Sequence, residues 1–269
     1  MSEILKFEQD SHGVVVLTMN YAPTRNALTG SGLVDAFLSA FHRIQTEHTA
    51  RAIIITGTDT VFSSGGSIDE MQRQLRPEFS SGDLRHEYRE GIQRLPLALY
   101  QLEVPVIAAI NGHAIGAGLD LACMCDIRIA AENAKMAESF VKLGIVPGDG
   151  GAWFLPRLVG LSRAAELAFT GDTFSAAEAL QWGLVSRVVP LDSLLDEARS
   201  LARRIAANPP ESVRMAKRLM REGQHTRLDT HLELCAAFQA IAHKSPQHAQ
   251  AVEAFMSTKR ARNTTKDKT

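Results

Sequence analysis

The chain alternates short, nearly unbroken apolar runs with longer stretches in which apolar residues recur every three or four positions. Runs of the first kind mark strands buried on both faces: residues 14–18 (VVVLT), 52–56 (AIIIT) and 105–111 (PVIAAIN), with a further strand at 126–130. The run at 14–18 follows a shorter one at 4–7 across a polar turn ending in Gly13, which is the signature of a hairpin. Stretches of the second kind predict helices. Leu33, Phe37, Phe41 and Ile44 place one over 30–47 with Thr29 as its cap, and Gly57 ends the strand that follows. Residues 61–71 read as a small-residue loop entering a short helix, and 82–102 as a polar helix. Residues 112–118 read as a glycine-containing turn opening a helix through Leu121 and Met124. From Leu161 onward the pattern is helical, with Ala-rich segments at 163–169, 176–182, 192–207, 211–222 and 229–242. These are broken by Pro209, Pro210 and Pro246 and interrupted by a strand at 185–189.

The recurrence of strand, glycine turn and helix indicates an α/β fold with its sites at the turns. No linker or low-complexity segment divides the chain, so the expected organisation is a core over 1–200 continued by a helical lobe over 201–269. At 269 residues, with 45% hydrophobic and 22% charged positions, the composition is that of an ordinary globular protein and excludes disordered, collagenous and disulfide-scaffold classes. The 29 basic and 30 acidic side chains nearly cancel, which leaves no basic field for nucleic acid. Cys123, Cys125 and Cys235 form neither an even framework nor a C-x-x-C pair, as expected for buried thiols in a reducing compartment. The first ten residues carry Glu3, Glu8 and Asp10 and lack the basic and apolar regions of a leader. No apolar run approaches the ~20 residues of a membrane span. The expectation is a cytoplasmic protein with no membrane and no nucleic-acid partner.

Several chemistries lack their residues. There is no G-x-S-x-G elbow and no phosphate-binding G-x-x-x-x-G-K-[ST] loop. The nearest histidines, His243 and His248, flank Pro246 and form no i, i+4 pair, so no metal site is expected. The turn from Gly112 to Gly118 follows a strand and opens a helix, as a dinucleotide site would, but its glycines are not spaced G-x-G-x-x-G. A nicotinamide-dependent oxidoreductase is therefore a subordinate alternative. These turns do offer backbone amides. Gly116 to Gly118 and Ser63-Ser64-Gly65-Gly66 each lead into a helix N-terminus, where unpaired N–H groups and the helix dipole favour an anion. Two such donors converging on one oxygen would stabilise a thioester enolate. The alternative is a pair of tight strand-to-helix turns.

Taken together and in order, these segments resemble the crotonase (enoyl-CoA hydratase/isomerase) superfamily. The resemblance rests on Asn26-Ala27-Leu28 after Pro23, on 62–66 (FSSGG), and on 105–130 (PVIAAINGHAIGAGLDLACMCDIRIA). It continues through 142–148 (KLGIVPG) with Gly150-Gly151, Leu155-Pro156-Arg157, Thr170-Gly171 with 176–180, and Gly183-Leu184-Val185. It implies a crotonase-like spiral of ββα units with a C-terminal helical trimerisation lobe, assembled as a homotrimer or hexamer. It also implies an acyl-CoA thioester as substrate, with no cofactor beyond the coenzyme A that the substrate carries. Carried over by motif, the thioester oxygen lies between the amides of Gly66 and Ala117. The CoA wall corresponds to Pro23, Arg25, Asn26, Ala27 and Leu28 with Ser64, Gly65, Ile68, Gly116 and Phe140. A neighbour's C-terminal helix around Phe255 and Lys259 closes the nucleotide end. Arg25 and Lys259 suit CoA phosphates as a fork and a point charge, or are solvated surface residues.

The departures from the family pattern concern the acids. Where the hydratases place two glutamates, this chain has Asp120 and Phe140, and Phe140 cannot transfer a proton. Glu138 and Asp149 are the other acids nearby. If 138–140 is extended, Glu138 and Phe140 leave one face. Asp149 is either a base or the cap of a helix starting near Gly150. Asp120 falls on the first turn of its helix, where the dipole lowers its pKa and burial raises it. The reading is an acyl-CoA enzyme of the hydratase/isomerase type, with Asp120 and either Asp149 or Glu138 moving protons. A one-base isomerase, another acyl-CoA lyase or hydrolase, and an inactive acyl-CoA-binding trimer are the alternatives.

Overall fold

The computed structural model describes residues 4–266, with side chains described to residue 257. In chain order the elements are β1 (Leu5–Gln9), β2 (Val14–Met19), a 3-10 helix (Ala22–Thr24), α1 (Leu33–Glu47), β3 (Ala52–Gly57), β4 (Val61–Ser63), α2 (Ile68–Gln74), α3 (Ser81–Glu90) and α4 (Arg94–Gln101). Next come β5 (Val106–Ile110), β6 (His113–Ile115), α5 (Ala117–Met124), β7 (Ile127–Ala131), β8 (Lys135–Ala137) and a second 3-10 helix (Ser139–Leu143). They are followed by α6 (Gly151–Val159), α7 (Leu161–Thr170), β9 (Thr173–Ser175), α8 (Ala176–Gln181), β10 (Arg187–Val189), α9 (Leu191–Ala206), α10 (Pro210–Glu222), α11 (Leu228–His243) and α12 (Pro246–Lys266).

The strands form two sheets. The larger has the order β1-β2-β3-β5-β7-β10, parallel except for the β1–β2 hairpin. Its central strands are unbroken apolar runs because both faces are covered. Ile53 and Ile55 enter one core cluster while Ile54 enters the other, and Ala108 and Ile107 divide in the same way, as the two-residue period of a strand requires. The smaller sheet has the order β4-β6-β8-β9, with β4, β6 and β8 parallel. Each of these three follows a strand of the larger sheet, so β3–β4, β5–β6 and β7–β8 repeat one ββ step before a helix returns the chain. This is the expected spiral. Asn111 braces two of its corners: Oδ1 accepts from the Gly57 amide at 3.0 Å and Nδ2 donates to the Asp59 carbonyl at 3.0 Å.

Four sequence expectations are corrected here. Residues 61–71 and 112–118 are not plain loops but contain β4 and β6, which are only three residues long. The helix expected over 82–102 is two, α3 and α4, with a break at 91–93. Thr29 does not cap α1, whose N-cap is Gly32; its Oγ1 instead accepts from the Ser67 amide at 2.8 Å. The chain divides into two compact units, Met1–Ala206 and Ala207–Thr269, so the boundary falls after α9 rather than within it at residue 200. Leu194, Ala198 and Ala202 of α9 are buried in the core cluster beneath the larger sheet, which keeps that helix whole in the first unit. The second unit is helical, comprising α10, α11 and α12. Among the described residues, no helix is long and apolar enough to cross a membrane.

Candidate active site

Because β4 and β6 are neighbouring parallel strands, the turns at their C-terminal ends are delivered side by side, the usual place for a site in an α/β sheet. The first turn, Ser64 to Ser67, opens α2; the second, at Gly116, opens α5. They touch at Gly65, which adopts φ +86° and where a Cβ would strike the Ile115 carbonyl oxygen and stand 3.0 Å from the Ala117 nitrogen. Only glycine meets both demands. The first turn is fixed on its outer side as well. The Gly65 carbonyl accepts from the Leu28 amide at 2.6 Å, and Ser64 donates from its amide to the Arg25 carbonyl at 3.0 Å and from its hydroxyl to the Thr24 carbonyl at 2.7 Å. Among the described residues, no protein acceptor takes the N–H of Gly66 or of Ala117.

Two chambers meet at these amides. Gly66, Met71, Ala117, Phe140 and Ile145 line both. One chamber, of 420 Å³, runs past Pro23, Arg25, Ser64, Ile68, Gly116 and Leu143. The other, of 480 Å³, runs past Leu28, Val34, Tyr88, Ile92 and Asp149 to a charged rim that includes Arg73 and Glu87. The structure thus gathers Pro23, Arg25, Leu28, Ser64, Ile68, Gly116 and Phe140 around the two amides. Asn26, Ala27 and Gly65 are buried and do not line either chamber. Asn26 is occupied in bracing β4, with Oδ1 accepting from the Tyr21 amide at 2.8 Å and Nδ2 donating to the Val61 and Phe62 carbonyls at 3.2 Å each. Phe255 is 69% exposed on α12 in the helical unit. The side chain of Lys259 lies outside the described residues.

The three acids are brought together. Asp120 on α5, Glu138 at the end of β8 and Asp149 before α6 are all buried. Glu138 and Phe140 do not share an extended face, because the 3-10 helix begins at Ser139; Glu138 turns toward Asp120 while Phe140 lines the chambers. Asp149 does not cap α6, whose N-cap is Gly150. Instead Asp120 Oδ2 accepts from the first helical amide, that of Gly151, at 3.1 Å. Gly151 is also where the acids crowd the backbone: a Cβ there would collide with Asp120 Oδ1 and lie 2.5 Å from Glu138 Oε1. Asp149 is the one of the three that lines the 480 Å³ chamber.

Asp120 Oδ1, both Glu138 oxygens and Asp149 Oδ1 are buried and accept from no donor outside the cluster. Three ionised carboxylates in that position would repel one another in a medium that solvates them poorly. Protons shared between the carboxyls would supply the missing donors, and groups coupled this closely titrate together. Burial raises Asp120 well above the usual carboxylate range, and the charges of Asp149 and Glu138 add to it. Burial outweighs the helix dipole here. Glu138 is raised to about 7, chiefly by burial, against the opposing effect of its hydrogen bond with Asp120. Asp149 is raised by burial and partly restored by its own hydrogen bond with Asp120.

The enoyl-CoA hydratase/isomerase family model matches residues 9–266. The chain belongs to the enoyl-CoA hydratase/isomerase family. It is 34% identical to 1,2-epoxyphenylacetyl-CoA isomerase of Escherichia coli K12 over 91% of this chain and 92% of that protein. It is 40% identical to a probable mitochondrial enoyl-CoA hydratase of Dictyostelium discoideum over 76% of this chain and 70% of that one. Among solved structures, the enoyl-CoA hydratase from Bacillus anthracis superimposes with a TM-score of 0.88 at 33% identity, covering 95% of this chain and 97% of that one. This member of the enoyl-CoA hydratase/isomerase family is an acyl-CoA enzyme of the hydratase/isomerase type. Sequence reasoning missed Tyr88, Met71 and Ile145 in its chamber walls. Tyr88 falls between residues 72 and 102, a stretch whose pattern matches no motif, so nothing in the sequence marked it.

Proposed function

We propose that this enzyme catalyses a one-base proton shift on an acyl-CoA thioester, with Asp149 as the base. The observation that carries the reading is the place of Asp149: it lines the chamber that meets the two unengaged amides, while Asp120 and Glu138 stand behind it. The thioester carbonyl accepts from the Gly66 and Ala117 amides, with the CoA portion along Pro23, Arg25, Ser64 and Ile68 and the acyl group along Leu28 and Asp149. As an α-proton leaves, negative charge grows on the thioester oxygen, and two fixed donors in a dry site stabilise it; one such donor is typically worth about 10²- to 10³-fold in rate. Asp149 takes the proton and returns it to the α- or γ-carbon. Asp120 and Glu138 hold the proton inventory behind it, so the basicity of Asp149 is set by how many protons they carry.

Phe140 favours isomerisation over water addition. It lines both chambers at their junction with a ring that neither binds nor orients a nucleophilic water. The reading needs no cofactor beyond the substrate's own coenzyme A. Exposed Phe255 is available to a neighbouring subunit, which fits a homotrimer or hexamer in which that residue and Lys259 close the nucleotide end. A reducing compartment such as the cytoplasm suits three cysteines that form no disulfide among the described residues. The test compares two reactions of the purified enzyme: conversion of 3-enoyl-CoA to 2-enoyl-CoA, and addition of water to 2-enoyl-CoA. The proposal expects isomerisation to exceed hydration at least tenfold in kcat/KM. Hydration equal to or faster than isomerisation would overturn the one-base reading.

A further inference from the structure

Asp149 has a neighbour in the chamber that belongs to neither the acid cluster nor the oxyanion turns. Tyr88, on α3, lines the same 480 Å³ chamber as Asp149. Its ring rests on the turn that carries the acid: a Cβ at Gly148 would stand 3.1 Å from Tyr88 Cε1 and 3.5 Å from Cδ1. The same turn is held from the α3–α4 break, where Gln93 Nε2 donates to the Gly148 carbonyl at 2.7 Å. Asp149 Oδ1 is meanwhile buried and accepts from no other group. A half-buried phenol and a buried carboxyl oxygen lacking a donor therefore face one cavity, joined by a backbone turn against which the phenol ring packs.

We propose that Tyr88 is a positioning residue for the Asp149 base: its ring holds the Gly148 turn, and its O–H donates to the Asp149 carboxylate in the ionised form that abstracts the proton. This rests on the proposed role of Asp149. The titratable groups that face Asp149 are Asp120 from α5, Glu138 from the end of β8 and Tyr88 from α3. The first two resist its ionisation as they themselves ionise, although the hydrogen bond with Asp120 lowers the Asp149 pKa while Asp120 keeps its proton; the phenol is a donor that does not titrate with the cluster. Burial and the Asp149 charge both push the Tyr88 phenol upward from its ordinary value, which keeps the proton on the phenol and the donor available across the working pH range.

A donor to the ionised form lowers a carboxyl pKa, so removing it must raise that of Asp149. Two variants test this. Tyr88→Phe keeps the ring against Gly148 and deletes the O–H. Gly148→Ala keeps the O–H and pushes the ring away. Both should move the acid limb of the pH–rate profile for α-proton exchange to higher pH, with about a tenfold loss of rate below the limb for Tyr88→Phe. The protonation of Asp149 is read separately, without turnover, as the pH dependence of the protonated-carboxyl infrared band in the difference between each protein and its Asp149→Asn counterpart. That band should persist to higher pH in Tyr88→Phe than in the parent enzyme. An unshifted band in Tyr88→Phe would overturn the proposal whether or not the enzyme exchanges protons. A wild-type enzyme with no exchange would instead remove the role of Asp149 as base.

Discussion

Asp120 Oδ2 accepts a hydrogen bond from the Gly151 amide at 3.1 Å, so a carboxyl on α5 takes the place of a side-chain cap at the start of α6. This contact joins the turn carrying the Ala117 amide to the turn carrying Asp149. It also leaves Asp120 Oδ1 facing Glu138 and Asp149, which makes one buried side chain both a helix-end partner and the centre of the acid cluster.

Asp120→Asn separates these roles. The amide oxygen can still accept from Gly151, and the NH₂ becomes a permanent donor to the flanking acids. Asp149 then ionises more readily and is a weaker base. The expected result is a loss of about 10- to 100-fold in α-proton exchange, smaller than the about 10²- to 10⁴-fold typical of losing a general base itself, with the acid limb of the pH profile moved to lower pH. Steady-state exchange rates between pH 5 and 9 check it, and an acid limb moved upward would contradict it.

Stability should fall as the cluster loses its protons. Glu138 is raised from 4.5 to about 7, so between these values the native state binds more protons than the unfolded chain. Stability is then lost as pH rises through that window. At about 1.4 kcal/mol per unit, the effect reaches up to about 3 kcal/mol. The hydrogen bond with Asp120 already opposes that rise, and the side-chain amide of Asp120→Asn is a permanent donor that opposes it further. Denaturant unfolding should therefore show a shallower decline from pH 5 to 8 in the variant, and greater stability than the parent at pH 8. A variant less stable than the parent at pH 8 would count against a proton-sharing cluster.

Gly151→Ala tests the crowding directly. The added methyl would occupy the space of Asp120 Oδ1 and press on Glu138 Oε1, and overpacking of this kind costs about 1–3 kcal/mol. The loss should shrink in the double variant with Asp120→Ala, where the obstructing carboxyl is gone. Urea unfolding of the four proteins in the cycle gives the coupling, and strictly additive effects would show that the acid does not fill that space.

The larger sheet was legible because its strands are buried on both faces, which writes 52–56 and 105–111 as unbroken apolar runs. The smaller sheet was not. Its strands are three residues each, too short for a two-residue alternation to register, and β4 and β6 lie inside segments that read as glycine turns. At the site, the turns around Gly66 and Ala117 were visible as small residues preceding helices. The grouping of Asp120, Glu138 and Asp149 was open at the sequence level because it depends on how three turns fold back on one another. The side-chain role of Asn26 was not legible either: its amide braces β4, a long-range contact that no local pattern encodes. Tyr88 left no trace in the pattern because it is one polar-helix residue among several, distinguished only by what it faces.

The central claim is that Asp149, facing the two amides across one chamber, removes the α-proton of a bound thioester. The most direct measurement is deuterium incorporation at the α-carbon of saturated and enoyl-CoA thioesters in D2O, followed by mass spectrometry for the parent enzyme and for Asp149→Asn. The account predicts exchange by the parent and a loss of about 10²- to 10⁴-fold in the variant, with thioester affinity changed by less than about threefold. Exchange by Asp149→Asn at the parental rate would contradict it and return the role of base to another group.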